Sequence, residues 1–141
     1  MATDFQYANF PISQDGTMGF KNTSGGTIAS DTLVKLDASN PPDGNALGGV
    51  IPTAASTDFA IGITTESAAD KGTIKVRLVS TSANPVTAKG AVTYGDLLMP
   101  GSTSGTASKQ TTGKASFGVA LNTAADGDPV LALLVGCAMN A

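Results

Sequence analysis

The sequence predicts an all-β domain, and three observations carry that prediction. Glycine and proline are spread so evenly that the longest stretch free of both is residues 27–40, which leaves little room for long helices. The segment Thr73–Leu78 alternates polar and apolar residues with a period of two, as a strand with one buried face does. An internal repeat presents the same strand-turn-strand pattern twice.

Length and composition are those of one folded domain. The chain has 141 residues, of which 41% are hydrophobic, 13% charged and 5% aromatic. This is too much apolar surface and too little net charge for a disordered chain, and too short a chain for two enzymatic domains. We therefore expect a single β domain over residues 21–141, preceded by an extended N-terminal arm over residues 1–20.

The remaining strands are predicted in chain order from short apolar, β-branched segments. Each is bounded by Gly, Asn, Asp or Pro, the residues that turns favour. The candidates are residues 32–36, 59–65, 96–99, 116–121 and 130–135. Many short strands at such spacing are typical of a small barrel or a sandwich.

The internal repeat is the most informative feature of the sequence. Residues 61–79 align without a gap over residues 117–135, and each copy reads strand, Ala-Ala-Asp turn, strand. Residues 26–34 align more weakly over residues 90–98. The two offsets, 56 and 64, differ by eight residues, which we place in a surface loop within residues 37–58 of the first copy. The predicted repeat units are residues 26–80 and 90–137.

The two copies differ in the face of one strand. Lys75 and Arg77 of the first copy align with Leu131 and Leu133 of the second, so a polar face has become apolar. Two interpretations stay open: the second strand is covered on both sides within one subunit, or Leu131 and Leu133 lie in a subunit interface.

The N-terminal arm is rich in aromatic residues. Residues 1–20 hold four of the seven aromatics, and in an extended strand Phe5 and Tyr7 share one face, with Phe10 and Ile12 on another. The arm can fold back on its own domain or add to a partner's sheet edge, where backbone hydrogen bonds give affinity.

Composition argues against most enzymatic chemistry. Without histidine, the chain lacks Ser-His and Cys-His pairs and the usual base of near-neutral catalysis. Cys137 is the only cysteine and lies in an apolar segment, which predicts a buried, inert thiol. The spacing of Glu66 and the aspartates selects no pair of carboxyl groups for acid-base catalysis. We therefore predict no catalytic residues and no enzyme activity.

Charge and hydropathy also limit the partners. The formal net charge is −3 with no basic cluster, so nucleic acid is not an expected partner. No secretory signal starts the sequence and the longest apolar run is about half of a bilayer span, so we expect a cytoplasmic protein, or a component of something assembled there, with no membrane association. Asp70, Asp126 and Asp128 fall in turns and supply too few oxygens for a cation, so no metal or cofactor is predicted.

The order of these motifs resembles that of bacteriophage head decoration proteins, also called capsid cement proteins. The matching stretches are residues 26–36, 61–78, 90–100 and 117–135, which cover most of residues 26–137. Each stretch consists of common small residues, and the resemblance lies in their order and spacing.

The resemblance implies a compact β-tulip or small barrel on the outside of a tailed-phage capsid. Such proteins assemble as trimers, bind after the shell expands and clamp neighbouring capsomers against the pressure of packaged DNA. They have no active site. The implied partner is the major capsid protein, and the residues of the arm that would contact it are Phe5, Tyr7, Phe10 and Ile12. The implied location is the virion, reached from the host cytoplasm during assembly.

Two other classes of protein share this composition. A tail-fibre or adhesin module would also be rich in β structure and small residues, but it would bind a cell-surface glycan. A hydrolase on a β scaffold is disfavoured by the missing histidine.

Overall fold

The computed structural model describes residues 16–44, 46–78 and 83–139, and these residues form strands and turns without a helix. The all-β prediction is confirmed. The ten strands are β1 (Thr17–Asn22), β2 (Leu33–Leu36), β3 (Gly49–Pro52), β4 (Gly62–Thr64), β5 (Thr73–Leu78), β6 (Ala83–Thr87), β7 (Leu97–Pro100), β8 (Ala107–Lys109), β9 (Ala115–Ala120) and β10 (Pro129–Met139).

The first five strands form a closed barrel in the order β1-β3-β2-β4-β5, with β5 antiparallel to β1. Among the described residues of this barrel, β1 and β3 form the parallel pairing, where Asn22 lies opposite Val50. Because successive side chains of a strand point to opposite faces, every second residue of each strand points into the barrel. The buried core of this first barrel is Phe20, Ile28, Val34, Val50, Ile74 and Val76.

The last five strands repeat this arrangement. Their sheet order is β6-β10-β9-β7-β8, which is the same ring of neighbours when β6 to β10 replace β1 to β5. An isolated parallel bridge between Ala88 and Ala107 joins the two edges of the sheet. It stands where Asn22 meets Val50 in the first barrel, and we call this half of the chain the second barrel.

Backbone contacts confirm the two related units residue by residue. Ile28 bridges Ala68 in the first unit, and the aligned residues Val92 and Ala124 bridge in the second. In both bridges each amide donates to the partner's carbonyl at 2.9 Å. Two pairs of aligned residues also share a left-handed backbone, with φ of 61° and 90° at Asp31 and Gly95, and of 69° and 87° at Lys71 and Gly127.

The extra residues of the first copy lie mainly between β2 and β3. Val34 pairs with Pro52, and the aligned Leu98 pairs with Lys109, so the offset falls from 64 to 57 across this loop. In β4 and β9 the offset is 56, because Gly62 pairs with Val34 and Gly118 pairs with the aligned Leu98. Seven of the eight additional residues are therefore in the loop over residues 37–48.

The predicted boundary of the arm at residue 20 falls inside β1. Thr17–Asn22 pairs with β5, and Phe20 belongs to the core of the first barrel. Residues 17–20 are thus barrel and not arm, and the repeat starts with β1 and β6 instead of residues 26 and 90. Strands β1, β3, β6 and β8 were not predicted from the sequence.

The two barrels meet at a joint that we call the internal joint. Leu33 and Ile63 pair with each other on the outer face of the first barrel, yet both are 0% exposed. They share a hydrophobic cluster with second-barrel residues such as Leu98 and Phe117. The Leu33 amide donates to the Gly105 carbonyl at 2.9 Å, so backbone hydrogen bonds fix the joint as well as apolar packing.

Candidate interaction surfaces

The repeated Ala-Ala-Asp turns have a structural use for their carboxylates. Asp70 Oδ1 accepts the Gly25 amide at 2.9 Å, and Asp126 Oδ1 accepts the Gly90 amide at 2.7 Å. Each carboxylate therefore ties its turn to the segment that follows the first strand of the same unit. Within the described residues, no group of three or more His, Cys, Asp or Glu side chains is placed to hold a metal ion.

The predicted burial of the Cys137 thiol stays a prediction, because its side chain lies outside the described residues. The Glu66 carboxylate accepts a hydrogen bond from the backbone amide of Lys75 at 3.2 Å. At the aligned position, Asn122 Oδ1 accepts one from the backbone amide of Leu131 at 2.6 Å.

No helix in the described parts of the chain has the length and hydrophobicity to cross a bilayer.

The long loop over residues 37–48 is anchored by Asp37. Its carboxylate accepts hydrogen bonds from Thr23 Oγ1 at 2.6 Å, from Asn40 Nδ2 at 2.7 Å and from the Ser39 amide at 3.0 Å. These bonds favour the charged form, so they hold the pKa of Asp37 below its usual value, with the Thr23 hydroxyl contributing most.

A second carboxylate fixes the loop between β3 and β4. Asp58 pairs with Lys35 Nζ at 2.7 Å and accepts the amides of Ala54 at 2.6 Å and Ala55 at 3.0 Å. Burial acts to raise the pKa of Asp58, but the bonds from Lys35 and the two amides outweigh it and the net pKa is lowered. The next residue, Phe59, lies at the surface.

The outer face of the second barrel carries an exposed apolar surface. Leu97, Val119 and Leu133 lie directly opposite one another across β7, β9 and β10. Leu97 is 41% exposed, Leu131 on the same face of β10 is 39% exposed, and Val119 and Leu133 are half-buried. We call these four residues the outer face. The first of the two open interpretations has this strand covered on both sides within one subunit. The described part of the chain does not cover Leu131.

The aligned face of the first barrel is the one buried in the internal joint. Leu97 and Val119 correspond to Leu33 and Ile63, both fully buried. One row of residues is therefore covered in the first barrel and uncovered in the second. The sequence alone did not point to Leu97, because the repeat aligns a leucine with a leucine.

The first barrel has an exposed apolar surface of a different kind, at the end where β2 stops. Leu36 is 57% exposed and Phe59 is 67% exposed. The β2–β4 register, extended by the hydrogen bond from the Ile61 amide to the Val34 carbonyl, brings both residues to the same end of the barrel. We call Leu36 and Phe59 the open end.

The predicted capsid-binding residues Phe5, Tyr7, Phe10 and Ile12 lie outside the described residues. Leu131 and Leu133, the predicted interface residues, lie on the outer face. Their role in an interface stays a prediction.

No family model and no curated protein sequence matches the chain. Its fold is similar to a solved structure described as the head fiber gp8.5 N base in bacteriophage phi29. The TM-score is 0.64 at 19% sequence identity, and the match covers 84% of this chain and 93% of the other. At this identity the likeness shows a shared fold, and it extends across both barrels.

Proposed function

We propose that the chain is a structural protein of a bacteriophage virion, bound to the outside of the expanded head as a decoration protein. The observation that carries the proposal is the fold shared, over most of both chains, with the base of a phage head fibre. The order of motifs found in the sequence supports the same class. The proposal assigns the chain no catalytic role and no cofactor.

The proposed partners are the major capsid protein and further copies of the chain, as a homotrimer. Residues Phe5, Tyr7, Phe10 and Ile12 would contact the shell, while Leu131 and Leu133 would lie between subunits. Burying one aromatic ring contributes on the order of several kcal/mol before ordering costs are subtracted. Many copies on one shell add avidity to such contacts.

A second candidate function is the base of a fibre. It is favoured by the same structural neighbour, which is described as the base of a head fibre. As a fibre base the domain would hold another protein segment away from the head instead of clamping capsomers. The two functions share the attachment to the head and differ in what the exposed side of the domain carries.

Co-sedimentation with phage heads tests the proposal. Purified protein is mixed with expanded heads that lack it and, as a control, with unexpanded proheads. We expect saturable binding to expanded heads only. Absence of binding to both forms would contradict the proposal and favour a tail-fibre or adhesin module, which a glycan-binding assay would then test.

Two further samples locate the contact. A deletion of residues 2–15 keeps Gly16, whose carbonyl accepts the Leu78 amide at 3.1 Å, so the barrel is expected to keep its circular dichroism. Replacing Phe5, Tyr7 and Phe10 with Ala should weaken head binding. Replacing the neighbouring polar residues Gln6 and Asn9 with Ala is the matched control and should leave binding unchanged.

A further inference from the structure

The internal joint brings two different surfaces together. One is the outer row of the first barrel, Leu33 and Ile63. The other is the end of the second barrel formed by the loop that holds Gly105 and the start of β6, with Phe117 in the same hydrophobic cluster. Gly105 is needed there because a Cβ would lie 2.5 Å from Thr32 Cγ2. The joint is therefore heterologous: a face of one unit packs on an end of the next.

The duplication places one unused copy of each surface in every chain. The outer face of the second barrel repeats the row that the joint buries, with Leu97 aligned to Leu33 and Val119 to Ile63. The open end of the first barrel repeats the end that accepts this row, since Ile61 is aligned with Phe117. Leu36 and Phe59 remain exposed beside Ile61.

We propose that copies of the chain associate head to tail, with the outer face of one copy packing on the open end of the next. This deepens the self-association in the proposed function and rests on it. The occupant of the outer face is thus a second copy of this chain. A heterologous contact of this kind closes into a ring where the rotation between copies permits, and the exposed leucines become buried at every contact.

The internal joint also indicates where the contact between copies is centred. Lys75, the residue aligned with Leu131, stays exposed beside the joint, whereas the residues aligned with Leu97 and Val119 are fully buried. The centre of the contact is therefore Leu97 and Val119, with Leu131 at its margin. The loop over residues 37–48 is the part that differs, because Pro42 packs against Gly48 where Thr32 packs against the aligned Gly105.

Light scattering on size-exclusion chromatography tests the proposal with two variants that each remove one surface. Leu97→Asp places a charge on the outer face and Leu36→Asp places one at the open end. Both leucines are partly exposed, so circular dichroism is expected to be unchanged. The full chain should elute as a multiple of 13.9 kDa and each variant at 13.9 kDa. Leu131→Lys, at the margin of the same contact, should weaken the assembly less than Leu97→Asp does.

Mixing the two variants is the decisive arm. Leu97→Asp keeps its open end and Leu36→Asp keeps its outer face, so an equimolar mixture has one intact contact and should form a 1:1 dimer of twice the single-chain mass. A face that packs on itself would give a different pattern, since Leu36→Asp alone would stay assembled. That result would overturn the proposal, as would a full chain that is a single copy at high micromolar concentration.

Two more outcomes separate this inference from others. If deletion of residues 2–15 dissociates the assembly while Leu36→Asp does not, the N-terminal segment is the occupant and the proposal is wrong. If the full chain assembles as predicted but binds no expanded heads, the contact between copies stands and the proposed function fails.

Discussion

The two barrels have the same ring of strands, but their surfaces are covered differently. Leu33 in the β2–β4 pairing and Leu97 in the β7–β9 pairing hold equivalent positions. Leu33 is fully buried, whereas Leu97 is 41% exposed. Residue type does not explain the difference, because both are leucine. The internal joint packs the outer row of the first barrel on one end of the second barrel. The outer face of the second barrel and the open end of the first barrel therefore remain exposed.

The largest test of this comparison removes the two leucines in turn. Leu33→Ala should destabilise the chain by about 3 kcal/mol, because it removes buried contacts and leaves a cavity between the barrels. Leu97→Ala should cost less than about 1 kcal/mol at a concentration where the chain is a single copy. Urea unfolding followed by circular dichroism measures both. Equal losses would contradict the different burial of the two residues.

The next test concerns a feature that the barrels share. A Cβ on Gly62 would overlap the Arg77 carbonyl oxygen, and one on the aligned Gly118 would lie 2.5 Å from the Leu133 carbonyl oxygen. Gly62→Ala and Gly118→Ala should each cost about 2–3 kcal/mol, with Gly62 the more sensitive. Thermal unfolding compares the two variants. A neutral result at either position would show that the strands can move apart there.

A smaller effect is expected where the barrels use different residues for one backbone shape. Lys71 has a φ of 69°, and the aligned Gly127 has a φ of 87°. Lys71→Gly should stabilise the chain by about 0.5 kcal/mol, since relief of left-handed strain exceeds the entropy cost of glycine. Gly127→Ala should destabilise it by about 1 kcal/mol. Chemical denaturation of both variants gives the two signs, and the same sign for both would be inconsistent with aligned turns.

The smallest effect tests the loop that only the first barrel has. The pKa of Asp37 is lowered by its bonds from Thr23, Asn40 and Ser39, so its stabilising effect is present above the unfolded pKa of about 4 and is lost as the pH falls through the folded pKa. Asp37→Asn should lower Tm at pH 7 and have a shrinking effect below about pH 4. Asp43→Asn, in the same loop, is the control. A Tm difference that persists unchanged at low pH would contradict the assignment.

The sequence was sufficient where alternation or repetition was strong. Thr73–Leu78 was predicted with its observed bounds, and the aligned Ala-Ala-Asp turns form matching contacts. It failed for β3 and β6, which contain Pro52 and Pro85, because proline is typical of turns and edges and local patterns do not show the partner strand. Residues 17–20 of β1 were assigned to the arm because the pairing of β1 with β5 is a long-range contact.

The surfaces were less predictable than the fold. The change from Lys75 and Arg77 to Leu131 and Leu133 is visible in the sequence because it is a difference of residue type, and the role of the two leucines in an interface stays a prediction. Leu97 and Val119 gave no such signal, because their counterparts are also apolar and differ only in being covered. Which of the two aligned apolar rows is buried depends on how the units pack, and a residue-by-residue alignment does not contain that information.

The most direct test of the account is cryo-electron microscopy of expanded phage heads incubated with the full chain. We expect density on the outside of the shell for closed groups of chains, in which the second barrel of one copy contacts the first barrel of the next. A bare shell at saturating protein, or single copies that do not touch, would contradict it.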